Sequence, residues 1–260
     1  MLAQDCTDHR TDYVVTSNLD GTSSVVVICE HASRFIPAVF ANLGLSDEAS
    51  NSHAAWDPGA MPIAEKLAAH LDAPLIASGV SRLVYDCNRP PEAHDAMPAK
   101  SELIEVPGNR NLSAAQRGAR ANAYYHPFCA AVGDLVKSKT LPIIVTVHSF
   151  TPVYFGKPRA VEIGILHDTD TRLADAMLQT CSAHTSAKVM RNEPYGPEHG
   201  VTHTLKTHAI GAGHLNVMLE IRNDLISTAA QQSAVAEMLA RWLAGASALL
   251  EDVGDVQCHQ

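Results

Sequence analysis

The chain has 260 residues, 46% of them hydrophobic and 18% charged. Those are the proportions of a globular protein long enough to bury one sizeable core, so no second domain is required. A formal net charge of -9 without any basic run excludes a nucleic-acid backbone as the natural partner.

No apolar stretch reaches bilayer-spanning length, and the N-terminal MLAQDCTDHRTDYV lacks the apolar centre of a signal peptide, which leads to the expectation of a cytoplasmic protein that contacts no membrane. Six cysteines, Cys6, Cys29, Cys87, Cys129, Cys181 and Cys258, are scattered without a C-x-x-C pair, so no disulfide scaffold is expected. Histidine is the unusual residue, with 14 in the chain.

In chain order, the Val- and Ile-rich runs 24–29, 74–77, 82–85, 142–148, 161–166, 187–190 and 216–221 read as short buried strands. Helical patterns lie between and after them. Residues 60–71 follow Pro58 as a helix start, 114–138 open with Ser113 and Gln116 at capping-box spacing, and 170–184 and 229–250 carry periodic Ala/Leu faces. The alternation predicts an α/β fold in which a mixed, mostly parallel sheet is covered by helices on both faces, as a single domain over 1–260 with its core at about 23–250. Two stretches, 86–113 and 192–214, are rich in Pro, Gly, Asn and His and are too long for ordinary connections, which marks them as functional loops.

In an open α/β sheet, ligands bind at the carboxyl ends of the strands. VVVICEHASRFIP places Glu30, His31, Ser33 and Arg34 at such an end; RLVYDCNRP places Arg82, Asp86, Asn88 and Arg89, PIIVTVHSFTP places His148 and Ser149, and NVMLEIRND places Glu220, Arg222 and Asn223. Asp57, in HAAWDPGA before a helix start, is either a helix cap or part of the site. Together His31, Asp57 and His148 form a two-imidazole, one-carboxylate set suited to one catalytic divalent metal with a position left open, and Glu220 is then the candidate general base. Arg82, Arg89 and Arg222 either bind the carboxylate of an acidic substrate or form structural ion pairs. Cys29 is a competing nucleophile at the same strand end as His31. No G-x-S-x-G elbow and no glycine-rich phosphate cradle in the right context is present.

The motifs CEHAS, HAAWDPGA, SRLVYDCNRP, TVHSFTP, EPYGPEHGVTHTL and LEIRND, in this order over about residues 23–245, resemble the N-formylglutamate amidohydrolase family. That family is distantly similar to zinc-dependent N-acetylmuramoyl-L-alanine amidases and zinc exopeptidases. The resemblance implies a zinc-exopeptidase/phosphorylase-hydrolase-like fold and a cytoplasmic, metal-dependent hydrolase of histidine degradation that converts N-formyl-L-glutamate to formate and glutamate. It implies His31, Asp57 and His148 as ligands of one divalent ion, Zn2+ by analogy, and Glu220 as base. The amidases carry Glu where this chain has Asp57.

On this reading the partner is a small N-acylated acidic amino acid. Arg82, Asn88, Arg89, Arg222 and Ser149 are its candidate binding residues, and His199 and His203 either stabilise the oxyanion or are solvated loop residues. Glu30 is read as an acceptor that orients a metal-binding imidazole, helped by Ser33, with direct ligation or pairing with Arg34 as alternatives. A same-fold amidase with another substrate and an inactive binding protein remain the alternative functions, and the oligomeric state is open.

Overall fold

The computed structural model describes residues 13–251 and 253–259; Cys6 and most of the N-terminal stretch examined for a signal segment lie outside them. Seven strands form one sheet: β1 (Val14–Ser17), β2 (Val25–Cys29), β3 (Leu75–Ser78), β4 (Ile143–Phe150), β5 (Ile163–Leu166), β6 (Val189–Arg191) and β7 (Leu215–Arg222). Their order is β1-β3-β2-β4-β7-β5-β6. The central four run parallel, β1 joins antiparallel to β3, and β5 joins antiparallel to β7 with β6 parallel beside it. The sheet is therefore mixed and mostly parallel, as expected.

Buried parallel strands show little polar alternation because both faces are covered. In β2, Val25, Val27 and Cys29 face a core shared with the helices Ala60–Leu71, Arg172–His184 and Ala229–Ser247. Val26 and Ile28 face the other side, against Tyr124, Tyr125, Phe128 and Val132 of the segment 114–138. That segment is helical throughout, with a π turn over Ala121–Tyr125, and its start carries the expected Ser113/Gln116 capping box. Among the described residues no helix is long and apolar enough to cross a membrane.

Two readings of the sequence are corrected. The run 82–85 is no strand: Val84 and Tyr85 donate backbone bonds to Ser81 O, the Ser81 hydroxyl bonds Leu83 N and Ala55 O, and the segment is a set of turns. Leu83, Val84 and Tyr85 are nonetheless buried in the second core, and an apolar run records burial rather than backbone geometry. Strand β1 went unrecognised because it is a mostly exposed edge strand whose sequence, VVTS, carries no buried-strand signature.

The sequence DPGA builds the turn that matters most for function. Asp57 O accepts from Ala60 N at 3.1 Å and Gly59 has φ 83 and ψ -11, the pattern of a type II turn with Pro and Gly at its two centres. A Cβ on Gly59 would meet Ile226 Cδ1 and the Ile226 carbonyl oxygen at 2.8 Å, besides the strain of a positive φ. Replacing Gly59 by Ala is expected to cost about 1–3 kcal/mol, read by denaturant unfolding, and to weaken divalent-metal binding because the turn carries Asp57.

Candidate metal centre

Strand parity assembles the site. Glu30, just beyond β2, continues the register of Val26 and Ile28, while His148 in β4 and Glu220 in β7 are directly paired across the ladder. His31 lies past the end of β2, where alternation no longer governs, and the Asp57 turn is tied to it through Asp57 N donating to His31 O at 3.0 Å. Asp57 does not cap the helix: Gly59 holds that position without a side-chain bond.

Three ligand-type atoms converge. His31 Nδ1 lies 3.1 Å from His148 Nδ1 and 3.3 Å from Asp57 Oδ2, and His148 Nδ1 lies 3.1 Å from Asp57 Oδ2. A tetrahedral ion with bonds of about 2.0–2.1 Å holds its ligands roughly 3.3 Å apart, so the spacing suits one small divalent cation.

The far side of each ring supports the same conclusion. His31 Nε2 is 2.7 Å from Asp86 Oδ1, and His148 Nε2 is 3.0 Å from Glu30 Oε2. A carboxylate accepts only, so His31 Nε2 carries a proton and its Nδ1 is left to present its lone pair to the centre, and the Glu30 carboxylate beside His148 Nε2 favours the same tautomer by its charge. Asp57 is further positioned by Ser149 N donating to Oδ2 and by Arg82 Nη1 donating to Oδ1.

Electrostatics point the same way. Glu30, Asp57, Asp86 and Glu220 are the buried carboxylates among the described residues, and all four surround this centre. The guanidinium bonded within the set is that of Arg82, whose Nη2 donates to Asp86 Oδ2 at 3.1 Å. Burial works against ionisation of Asp57 and Asp86, yet His31 and Arg82 hold both below the usual carboxylate range. Burial also disfavours the charged imidazoles, but Asp86 and Asp57 raise His31 on balance, and Glu30 and Asp57 raise His148 further. Glu220 goes the other way: burial, with Asp57 adding to it, pushes its carboxyl up to about 7. Its Oε2 is buried with no hydrogen-bond partner among the described residues.

The centre forms the floor of a cleft of about 270 Å³ that also reaches Arg82, Asn88, Arg89, Ser149, His199 and Glu220. Each expected binding residue in this group has structural partners. Asn88 donates to Val201 O and accepts from Thr204, Arg89 pairs with Asp95 and bonds the carbonyls of Asn88, His199 and Gly200, and Ser149 Oγ donates to Pro58 O. The long loop 192–214 is thus fastened over one side of the cleft through Asn88 and Arg89.

Arg222, His203 and Ser33 are absent from the cleft lining, and Glu30 lies behind His148. Arg222 pairs with Asp224 and Glu162, His203 Nε2 bonds the Tyr125 hydroxyl at 2.8 Å, and Ser33 Oγ accepts from Phe35 N. Cys29 is packed in the first core and burial raises its thiol pKa well above the ordinary value, which removes it as a nucleophile. Sequence reasoning collected Asp86 without seeing that it orients His31. It passed over His53, which meets Glu102 at 2.8 Å, together with Tyr154 and Tyr195, all lining the cleft. Of these, Tyr195 stood within the quoted EPYGPEHGVTHTL, and His53 is the first residue of the quoted HAAWDPGA.

The N-formylglutamate amidohydrolase family model matches residues 23–227. The chain belongs to this family. It is similar to the crystal structure of a gene product from Agrobacterium tumefaciens, with 49% identity and a TM-score of 0.89 over 92% of this chain and 96% of that one. A second solved structure, N-formylglutamate amidohydrolase from Ralstonia eutropha, shares the fold with a TM-score of 0.61 at 18% identity, covering 91% of this chain and 99% of that one. No curated protein matches the chain significantly.

Protons and a metal ion compete for the same ring nitrogens. Nearby carboxylates hold both imidazoles above their ordinary pKa, so the metal-free pair binds protons more readily than free histidines do, and a metal ion must displace any proton held on Nδ1. Zinc titrations by calorimetry in buffers of different ionisation enthalpy are expected to show proton release, with affinity rising as pH increases from 6 to 8. His148→Ala should weaken binding at least a hundredfold.

Proposed function

We propose that the protein is a metal-dependent amidohydrolase that cleaves the amide C–N bond of an N-acylated acidic amino acid, foremost N-formyl-L-glutamate, giving formate and glutamate. The observation that carries this reading is the convergence of two imidazole nitrogens and one carboxylate oxygen within 3.1–3.3 Å of one another, with the unpartnered Glu220 carboxylate in the same cleft. The family membership supports the choice of a formyl group and glutamate.

A divalent cation held by His31, Asp57 and His148, Zn2+ by analogy with the zinc amidases, would polarise the acyl oxygen and acidify a water. The chain's own residues do the rest. Glu220 accepts a proton from the attacking water as its oxygen bonds the acyl carbon, and delivers that proton to the nitrogen as the C–N bond breaks. A carboxyl raised by burial suits both halves of the cycle, because it gives up the proton nearly as readily as it takes it. Asp86, Glu30 and Arg82 keep the three ligand groups aimed at the centre.

His199 is the rim residue suited to stabilise developing negative charge. Its Nδ1 accepts from Gly196 N at 3.0 Å, which leaves the proton on Nε2 as a donor. His203, bonded to Tyr125, contributes by holding the loop.

Glu220→Gln is expected to lower kcat by about 10²–10⁴-fold while the protein still binds its metal, measured by formate release and metal content of the same sample. Full activity in that variant would reject Glu220 as the base. In the wild type, protonated Glu220 cannot accept a proton, so kcat/KM should fall as pH drops. A bound cation favours the ionised carboxylate, which places the midpoint of that acid limb no higher than about 7. Exhaustive chelation should abolish turnover and added Zn2+ restore it.

A further inference from the structure

An acidic substrate needs a positive group that is not already spent. Arg82 is shared between Asp57 and Asp86, Arg89 is paired with Asp95, and Arg222 is paired with Asp224 and Glu162. Each therefore balances charge within the protein. Arg159 differs. No carboxylate lies within 4.0 Å of its guanidinium among the described residues; its Nη2 donates to the Tyr195 hydroxyl at 2.7 Å and its Nη1 to Thr151 O at 3.4 Å.

The position of Arg159 is as telling as its freedom. Its guanidinium carbon sits 4.3 Å from the Tyr154 ring centroid, 4.8 Å from that of Tyr195 and 5.6 Å from that of Phe150. These three rings and Thr151 all line the cleft that holds the metal centre. Stacking on aromatic faces fixes the plane of a guanidinium while leaving its edge free for a carboxylate. A short hairpin of the paired strands Val153–Tyr154 and Lys157–Pro158 ends beside it and is fastened at its tip, where Phe155 N donates to Glu102 Oε1 at 2.7 Å, and Glu102 itself lines the cleft.

Tyr195 completes the receptor. Its oxygen accepts from Arg159, so its own proton is available to a further acceptor, and Glu220 and Arg82 are among the charges that act on it. The phenol thus joins the arginine to the cleft that Glu220 and the metal-ligand candidates also line.

We infer that Arg159, with the Tyr195 hydroxyl beside it, binds a carboxylate of the substrate and so sets the preference for acidic N-acyl amino acids. The inference rests on the proposed hydrolysis and assigns to Arg159 the role that sequence alone suggested for Arg82, Arg89 and Arg222. Two charge-assisted donors on one carboxylate are worth roughly 10- to 100-fold in affinity.

The test compares metal-loaded wild type and Arg159→Gln on N-formyl-L-glutamate, on N-formyl-L-glutamine, which lacks the side-chain carboxylate, and on N-formyl-L-glutamate 1-amide, which lacks the α-carboxylate. Wild type should favour the dianion over one of the amides by at least tenfold, and Arg159→Gln should shrink that ratio to within about threefold of unity, mainly through KM. Arg159→Lys should recover part of the ratio and Tyr195→Phe should lose part of it, both with unfolding midpoints near wild type. A purely structural arginine would depress all three substrates equally and leave the ratios at their wild-type values, and that result overturns the inference. If wild type cleaves no N-formyl amino acid, the proposed reaction fails, and glutarate then tests the receptor by itself. Calorimetry should show it binding metal-loaded wild type and at least tenfold more weakly to Arg159→Gln; equal affinity, or no binding to wild type, overturns the inference.

Discussion

Four carboxylates buried around one point are the constraint on which the rest of this structure turns. Removing a single ionised carboxylate from water is costly unless it is paired and hydrogen-bonded. Glu30, Asp57, Asp86 and Glu220 share the Arg82 guanidinium and two imidazoles as their nearby positive or protonable groups. Two protons on the rings or one divalent cation between them relieve the excess. The centre is therefore electrostatically suited to a cation, and the raised proton affinity of both rings expresses the same demand.

The sheet meets that demand by parity and register. Residues of even number in β2, β4 and β7 share one face, so extending Ile28 by two positions gives Glu30, and the pairing of β4 with β7 sets Glu220 against His148. The two ligands supplied from beyond the strands need their own supports. His31 is held by Asp86 from the turn that follows the buried 82–85 segment, and Asp57 by the Pro-Gly turn packed against Ile226. The long loops serve as walls rather than as sources of metal ligands: Asn88 and Arg89 of one loop tie down Val201, Gly200 and His199 of the other. A rigid floor with walls of loop origin allows members of one family to differ in substrate while keeping the same centre.

The arginines divide the work between stability and recognition. A guanidinium committed to two internal carboxylates, as in Arg82, positions metal ligands and offers little net charge to a visitor. One held by aromatic faces and a phenol, as in Arg159, has no carboxylate within 4.0 Å among the described residues and sits against three rings that line the cleft.

The sequence by itself determined the strand-helix alternation, the capping box at Ser113, the helix start after Pro58, and the identity of the residues that gather at the strand ends. Those are local properties: periodicity, capping and φ preference are written in neighbouring residues. His31, Asp57, His148 and Glu220 were legible because strand ends are where an open α/β sheet gathers function, and because quoted motifs matched a family. The edge strand β1, the turns at 82–85 and the partners of each arginine were decided only in the tertiary structure. An apolar run is buried in the same way as strand or turn, and a guanidinium finds its carboxylate through space. Which arginine stays free depends on charges brought close from segments up to dozens of residues apart, and Coulomb's law acts over distance in the folded chain, not over separation along it.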